Sequence, residues 1–271
     1  MNNDSDAHKS LTLAEQADAR RRKSPSAAVI HEAVRLEGQE ELERSSSSVA
    51  WSALAAGLTM GFSLVAEAVL RSKLPDAPWR DLVTSLGYSA GFLFVTLGRQ
   101  QLFTETTLTA ALPLFHDRSR LLDVLRFWSI VFIANIAGTL LFAWAAAIPG
   151  LFPEDIRTSF AHIGVRAAEG TFGAIFIQGI AGGWLIALMV WLMPFSGAAR
   201  VFVIVSVTYL IAGAQLVHVI AGSVEAAYAS VVGAIGWDAY ARFILAALLG
   251  NTAGGVTFVA LLNHAQVKGD L

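Results

Sequence analysis

The chain has 271 residues, 55% of them hydrophobic and 15% charged, with a formal net charge of -2. Soluble domains carry roughly a quarter charged residues, so this composition points to a bilayer, and the small net charge excludes a strongly basic nucleic-acid binder. The absence of cysteine excludes disulfides, thiolate metal sites and cysteine nucleophiles.

Residues 1–23 are polar and end in the run Arg20-Arg21-Arg22-Lys23, the pattern of a disordered cytoplasmic tail. No short apolar region followed by a small-residue cleavage site is visible, so no cleavable signal is expected and the first spanning helix directs insertion. Of the 40 Lys, Arg, Asp and Glu residues, 16 lie in the first 44 positions, which leaves the rest of the chain poorer still in charge. Ser24-Pro25 reads as a cap and a first helical residue. Val29, Ile30, Ala33 and Val34 then supply an apolar face, so 25–44 is predicted as an amphipathic helix within a cytoplasmic segment, 24–46, lying on the membrane surface or against its own bundle. His31-Glu32 lacks a second histidine at the zinc-protease spacing.

A crossing needs about 20 residues. Segments 49–70, 124–148, 171–194 and 240–262 meet that length, whereas 82–114 and 200–230 are each over thirty residues. At a rise of 1.5 Å these two would make about 45–50 Å of helix against about 30 Å of hydrocarbon, so both must be interrupted. In the first the interruption is Gly98-Arg99-Gln100-Gln101-Leu102-Phe103-Thr104-Glu105, and in the second Gly213-Ala214-Gln215-Leu216-Val217-His218, with Gly222-Ser223 close behind. Setting Gln101 to Thr104 over Gln215 to His218 gives a weak internal repeat, each break falling in the second of three spans. Two sets of three spans face opposite ways, the inverted arrangement of many transport proteins, whose substrate path runs between discontinuous helices near the midplane. Backbone that is not helical at that depth needs protein or a water-filled cavity to satisfy it, so the breaks are expected to face a pore.

The expected architecture is therefore an all-α membrane protein with six transmembrane helices, the second and fifth broken. With the N-terminus inside, twelve Lys and Arg residues fall on the cytoplasmic side and six outside, Arg99 lying within a span. That asymmetry puts both termini in the cytoplasm, with a membrane domain over 47–265 and a short tail at 266–271.

His218 is the central candidate, because an ionisable group inside a spanning segment marks a functional site by default. The competing reading is a structural histidine satisfied by Ser223 or by a carbonyl freed at the break. Thr104 either faces the path or bonds backbone. Glu67 and Glu105 could each line a wet vestibule, and Glu67 could instead pair with Arg71 four residues on. The six histidines are scattered over different segments, and there is no nucleophile and base constellation, phosphate loop or metal cluster. Neither an enzyme nor a cofactor is expected.

These residues together resemble the formate/nitrite transporter family: six spans, Leu102-Phe103-Thr104 in the first break, His218 in the second, Asn135-Ile136-Ala137-Gly138 in the third span and Gly250-Asn251-Thr252-Ala253-Gly254-Gly255 in the last. The resemblance covers roughly 25–265. It implies an aquaporin-like fold, a homopentamer of independent pores, and passage of small monovalent anions such as formate, nitrite or hydrosulfide. Carried over by position, His218 matches the central pore histidine, Thr104 and Asn251 the polar groups near it, and Leu102 and Phe103 the loop residues that close one side. Phe92 and Ile211 fall where the family narrows the pore on the cytoplasmic side, and Tyr88 near the opposite constriction. The chain departs from the pattern at Val217, at Gly222, at Gly182-Gly183 and at the outer lysine, near whose place Arg166 stands. Such departures resemble bacterial inner-membrane members of unassigned substrate.

A bare anion should stall in a narrow apolar tube, since moving a full charge into low dielectric costs many kcal/mol. Arg166 outside and Arg99 at the break are candidates to attract it into the vestibules, with the plainer alternatives that Arg166 is a loop charge and Arg99 bonds freed carbonyls. Near His218 the anion could gain a proton and cross as the neutral acid, because histidine titrates near ambient pH. Burial disfavours the imidazolium, so His218 is expected to be mostly neutral, a donor and occasional relay, with Thr104 and Asn251 holding its tautomer or bonding the anion. The alternatives are a pore for water or a neutral solute, and a non-conducting scaffold or sensor whose N-terminal tail binds a cytoplasmic partner.

Overall fold

The computed structural model describes Thr12, Glu15 and residues 24–269, and the tail expected over 1–23 lies outside the described residues apart from those two. The described residues form helices: α1 (Ala27–Glu43), α2 (Ser46–Lys73), α3 (Arg80–Leu97), α4 (Phe103–Thr109), α5 (Ala111–His116), α6 (Leu121–Ala146), α7 (Glu154–Ala167), α8 (Phe172–Leu192), α9 (Arg200–Gly213), α10 (Val219–Val231), α11 (Trp237–Gly254) and α12 (Leu262–Gly269), with short 3-10 turns between some of them and a π-helical stretch, Gly255–Leu261, joining α11 to α12.

Four helical stretches, 46–73, 118–146, 172–195 and 237–268, are long and apolar enough to cross a membrane, with mean hydropathy between 1.8 and 2.0. Their outward faces carry Trp51, Ile133 and Ile177 at 66% exposure or more. A soluble protein would bury such side chains, whereas a bilayer solvates them. α2 starts where Ser45 accepts a hydrogen bond from the Ser48 N–H at 3.3 Å, and it ends with Arg71 and Lys73 against the negative end of its dipole.

The two overlong apolar stretches are not continuous helices. α3 stops at Leu97 and α4 begins at Phe103, while α9 stops at Gly213 and α10 begins at Val219. Both stops have the same backbone geometry. Arg99 and Gln215 are the positive-φ non-glycine residues of the described chain, at 51° and 55°. After each, a 6→1 hydrogen bond closes the helix end, Gln100 N–H to the Val95 carbonyl at 3.0 Å and Leu216 N–H to the Ile211 carbonyl at 2.8 Å. This is the Schellman ending with a non-glycine in the left-handed position. It also corrects the register read from sequence. Arg99 corresponds to Gln215 and Leu102 to His218, so the Gln-Leu pair at 101–102 is offset by two residues from the one at 215–216, and Thr104 is not the counterpart of His218.

α1 buries His31, Val34, Gly38 and Leu42 against the bundle. Its acidic side holds the first break: Glu41 accepts from Gln101 Nε2 at 3.0 Å and from Thr109 Oγ1 at 2.5 Å, and Glu37 pairs with Arg99 at 2.8 Å. α7 was not expected as a helix. Pro153 precedes it, Glu154 and Asp155 occupy its first turn, and Ile156, Phe160 and Ile163 face inward. Start signals and spacing are those of an ordinary amphipathic helix, but its mixed polarity hides it from a search for spans.

Candidate functional site

Each break is held open by one asparagine. Asn135 Oδ1 accepts from the Phe103 N–H at 2.9 Å, and its Nδ2 donates to the carbonyls of Gln101 at 2.9 Å and Ala53 at 2.7 Å. Asn251 does the same in the second break, accepting from the Val219 N–H at 2.7 Å and donating to Val217 at 2.9 Å and Gly179 at 2.7 Å. Helix backbones come close enough for this because Gly57 and Gly183 lack side chains: a Cβ on either would sit 2.2 Å from the carbonyl oxygen of its asparagine. Asn251 spends its amide on backbone and makes no hydrogen bond to the His218 ring, so its expected role as a tautomer clamp or anion ligand is corrected to that of a backbone brace.

The ring of His218 is set by other groups. His218 is the N-cap of α10, and its Nδ1 accepts from the Ala221 N–H at 3.1 Å. A nitrogen that accepts carries no proton, so the ring proton sits on Nε2 and is donated to Thr104 Oγ1 at 2.6 Å. Both side chains are buried, at 1% and 0% exposure. Ser223 bonds Thr139 at 2.9 Å and Tyr240 at 3.0 Å instead, which removes the reading in which it satisfies the histidine. Protonating the ring would put a second N–H at Nδ1, facing the Ala221 N–H donor to donor. The cap and the imidazolium are therefore mutually exclusive in this geometry.

Phe92 stands edge-on to the His218 ring at a centroid distance of 4.8 Å, and Tyr88 packs on Phe92 at 5.2 Å. A cavity of about 510 Å³ leads down to this point from Asp81, Arg71, His162 and Arg166, past Glu67, Tyr88 and Glu225. Ile211 is fully buried and next to Ala212, which lines that cavity with Tyr88. α3 and α9 run antiparallel there, joined by the Thr208 hydroxyl donating to Ser89 Oγ at 2.7 Å. Ile211 thus lies on the Tyr88 side of that bond and Phe92 on the other, which separates two residues expected in one constriction.

The loop residues divide as well. Leu102, fully buried, is the N-cap of α4, whereas Phe103 packs on Phe132 at 5.3 Å and Trp128 at 6.3 Å and lines an apolar groove with Leu248 and Val256. Arg99 is not among the residues lining the 510 Å³ cavity, and its guanidinium rests on Glu37 rather than on freed carbonyls. Arg166 does line it, paired with Asp81 at 3.0 Å, and Arg71 holds the other Asp81 oxygen at 2.9 Å. Burial first, and then the positive charge of Arg71 and Arg166, hold the pKa of His162 below its ordinary value. Glu225 was missed in the sequence reading, although an acid in an apolar stretch of spanning depth is itself the signal.

Buried donors at interrupted apolar helices, reached through an open cavity, define a membrane channel or transporter rather than an enzyme. Residues 28–265 match the family model described as formate/nitrite transporter, and the chain belongs to that family. It is 41% identical over 251 residues to the "Inner membrane protein YfdC" of Escherichia coli (strain K12), covering 91% of this chain and 81% of the relative. It is 26% identical over 195 residues to the "Uncharacterized transporter YrhG" of Bacillus subtilis (strain 168), covering 68% and 72%. Among solved structures, the fold is similar to a "Pentameric formate channel with formate bound", with TM-score 0.70, 19% identity and coverage of 82% of this chain and 98% of that one. An "FNT family ion channel" gives TM-score 0.73 and 20% identity over 89% and 96%.

Proposed function

We propose that the chain forms a homopentameric pore in the inner membrane of a bacterium, both termini in the cytoplasm, for small monovalent anions such as formate, nitrite or hydrosulfide, or for their conjugate acids. In this reading six spans form two inverted three-helix repeats around an aquaporin-like path, and the breaks of the second and fifth spans meet at its centre. The observation that carries it is the Nε2–H of His218 directed to Thr104 Oγ1 below the open cavity. An incoming oxygen can take the place of the threonine hydroxyl as acceptor, and the N-terminal end of α10 adds a favourable dipole. His218 acts as a neutral donor, because forming the imidazolium would cost the α10 cap. The proton that neutralises the permeant then comes from water or from another group.

The test is uptake of formate, nitrite and hydrosulfide into proteoliposomes, with stopped-flow swelling in neutral solutes beside it. Uptake of at least one of these anions or its acid, lost in His218→Asn, is the expected result. Swelling in neutral solutes with no such uptake at any pH would overturn the reading.

A further inference from the structure

Glu225 lies two turns after His218 on α10, on the wall of the same cavity, and is only 7% exposed. Among the described residues the side-chain hydrogen bonds of the first half of α10 go to Val219, Ala221 and Ser223, and no hydrogen bond or ion pair reaches the Glu225 carboxyl. α7 holds it in place from behind: a Cβ on Gly164 would come within 2.2 Å of the Glu225 carbonyl oxygen, so the two backbones are in direct contact.

No group around it forms an ion pair with it among the described residues. From α2 the cavity receives Glu67 and Arg71, from α3 Asp81 and Tyr88, and from α7 His162 and Arg166, with Glu169 just beyond; α11 contributes Phe243. The neutral polar side chains on the same cavity, Thr84, Ser85, Gln178 and Gln215, make no hydrogen bond to it among the described residues. Both guanidiniums are engaged by Asp81. Glu225 and Glu67 therefore share this space with no ion pair to either among the described residues, and the two guanidiniums stand with Asp81 at the mouth. Ionised, such a carboxyl would carry a charge for which neither bulk water nor a partner compensates.

We propose that Glu225, with Glu67 on the same cavity wall, is the proton-carrying group of this pore, and that an entering anion takes its proton there before it passes Phe92 and His218. The proposal rests on the anion pathway inferred above. In the step, the O–H bond of the Glu225 carboxyl breaks and an O–H or S–H bond of the permeant forms. Glu225 is left as the carboxylate and regains a proton from cavity water, directly or through Glu67, so one proton crosses with each anion and nothing is oxidised or reduced. His218 keeps its neutral ring and its cap throughout.

Wild type, Glu225→Gln, Glu225→Asp and Glu67→Gln are compared in proteoliposomes, with formate as the probe and an entrapped pH-sensitive dye reporting the accompanying proton. Glu225→Gln is expected to lower proton-coupled uptake by about a hundredfold or more, the usual scale for loss of a positioned proton donor. Glu225→Asp, which keeps a carboxyl, is expected to restore the wild-type pH profile, and Glu67→Gln to slow uptake while leaving that profile in place. A wild-type pH profile and proton ratio in Glu225→Gln would overturn this role and leave the anion pathway standing. Failure of the wild type to take up formate, nitrite or hydrosulfide at any pH would instead overturn the pathway. Infrared difference spectroscopy decides the proton on Glu225 without transport: a carboxylic-acid C=O band at neutral pH, absent in Glu225→Gln, is expected. Its absence from the wild type would overturn the proposal, also should the glutamine variant fail to fold.

Discussion

Asn135 and Asn251 perform one task at two places, each bracketing a helix break by accepting from one backbone N–H and donating to the carbonyl two residues before it. The loops they close span 32 and 34 residues in both cases. Aspartate at either position keeps the shape but loses both donors and leaves buried carbonyls unpartnered. Asn135→Asp and Asn251→Asp are each expected to destabilise the protein by about 2–4 kcal/mol. Thermal unfolding in detergent checks this, and a silent substitution at either site would show that its brace is dispensable.

His218 combines a cap and a donor, and two substitutions separate them. Both substitutions lose the buried ring and its packing on Phe92, but asparagine is a good N-cap, so His218→Asn should be more stable than His218→Ala by about 1 kcal/mol. Both lose the Nε2–H that reaches Thr104, since the amide of asparagine is a shorter donor, so anion uptake should fall in both alike. Uptake that tracks stability would mean that the ring matters to this protein only as a cap.

The close backbone contacts predict steric sensitivity at small residues. Gly57→Ala, Gly183→Ala and Gly164→Ala each put a Cβ 2.2 Å from a carbonyl oxygen. Each is expected to lower stability by about 1–3 kcal/mol through forced separation of the helices. Gly213→Ala, where a Cβ meets nothing within 4 Å, is the control and should unfold with the wild type.

The left-handed residues predict the opposite sign. Gln215→Gly removes the Cβ from a conformation that glycine adopts freely and is expected to stabilise by up to about 1 kcal/mol. Arg99→Gly gains less, because it also loses the ion pair with Glu37. Unfolding midpoints of the two variants, compared side by side, test the order.

At the α1 face, His31 Nε2 lies 3.0 Å from His264 Nδ1, and burial, followed by the charge of His264, lowers the His31 pKa from 6.5. The unfolded or undocked state then binds the proton more readily, so docking of α1 is strongest above that value and weakens as pH falls below it. Faster hydrogen exchange over residues 27–43 at acid pH is the expected readout. His31→Gln should flatten the dependence, and an unchanged slope in that variant would assign it to another group.

Length and the cost of a polar group in hydrocarbon set the expectation of interruptions at 98–105 and 213–218, whereas a place for Thr104 near His218 was implied only by the family resemblance. Register was not legible in the sequence. Gln101-Leu102 and Gln215-Leu216 look alike as letters, but backbone position is set by Arg99 and Gln215 in the left-handed region and by the asparagine brackets. Side-chain identity at a break reports what the pore needs, while its placement is decided by hydrogen bonds to residues far along the chain. Asn251 was misread for the same reason, its polar atoms being taken up by backbone. Glu225 stands seven residues past His218 as a single acid among Val, Ala and Gly, outside the polar cluster that marks the break, and the mixed composition of α7 carries no spanning signal.

The paired brackets give the chain an internal reference. Leu102 and His218 occupy equivalent caps, each within the span held by one asparagine, and only one of the two can donate a hydrogen bond from its side chain. The first cap shows that a break of this geometry forms around an aliphatic residue, and at the second the imidazole adds a side-chain cap on the Ala221 N–H and a donor to Thr104. The imidazole is the asymmetric addition to an otherwise matched scaffold, and exchanging the residues at the two caps would reveal whether the path has a preferred end.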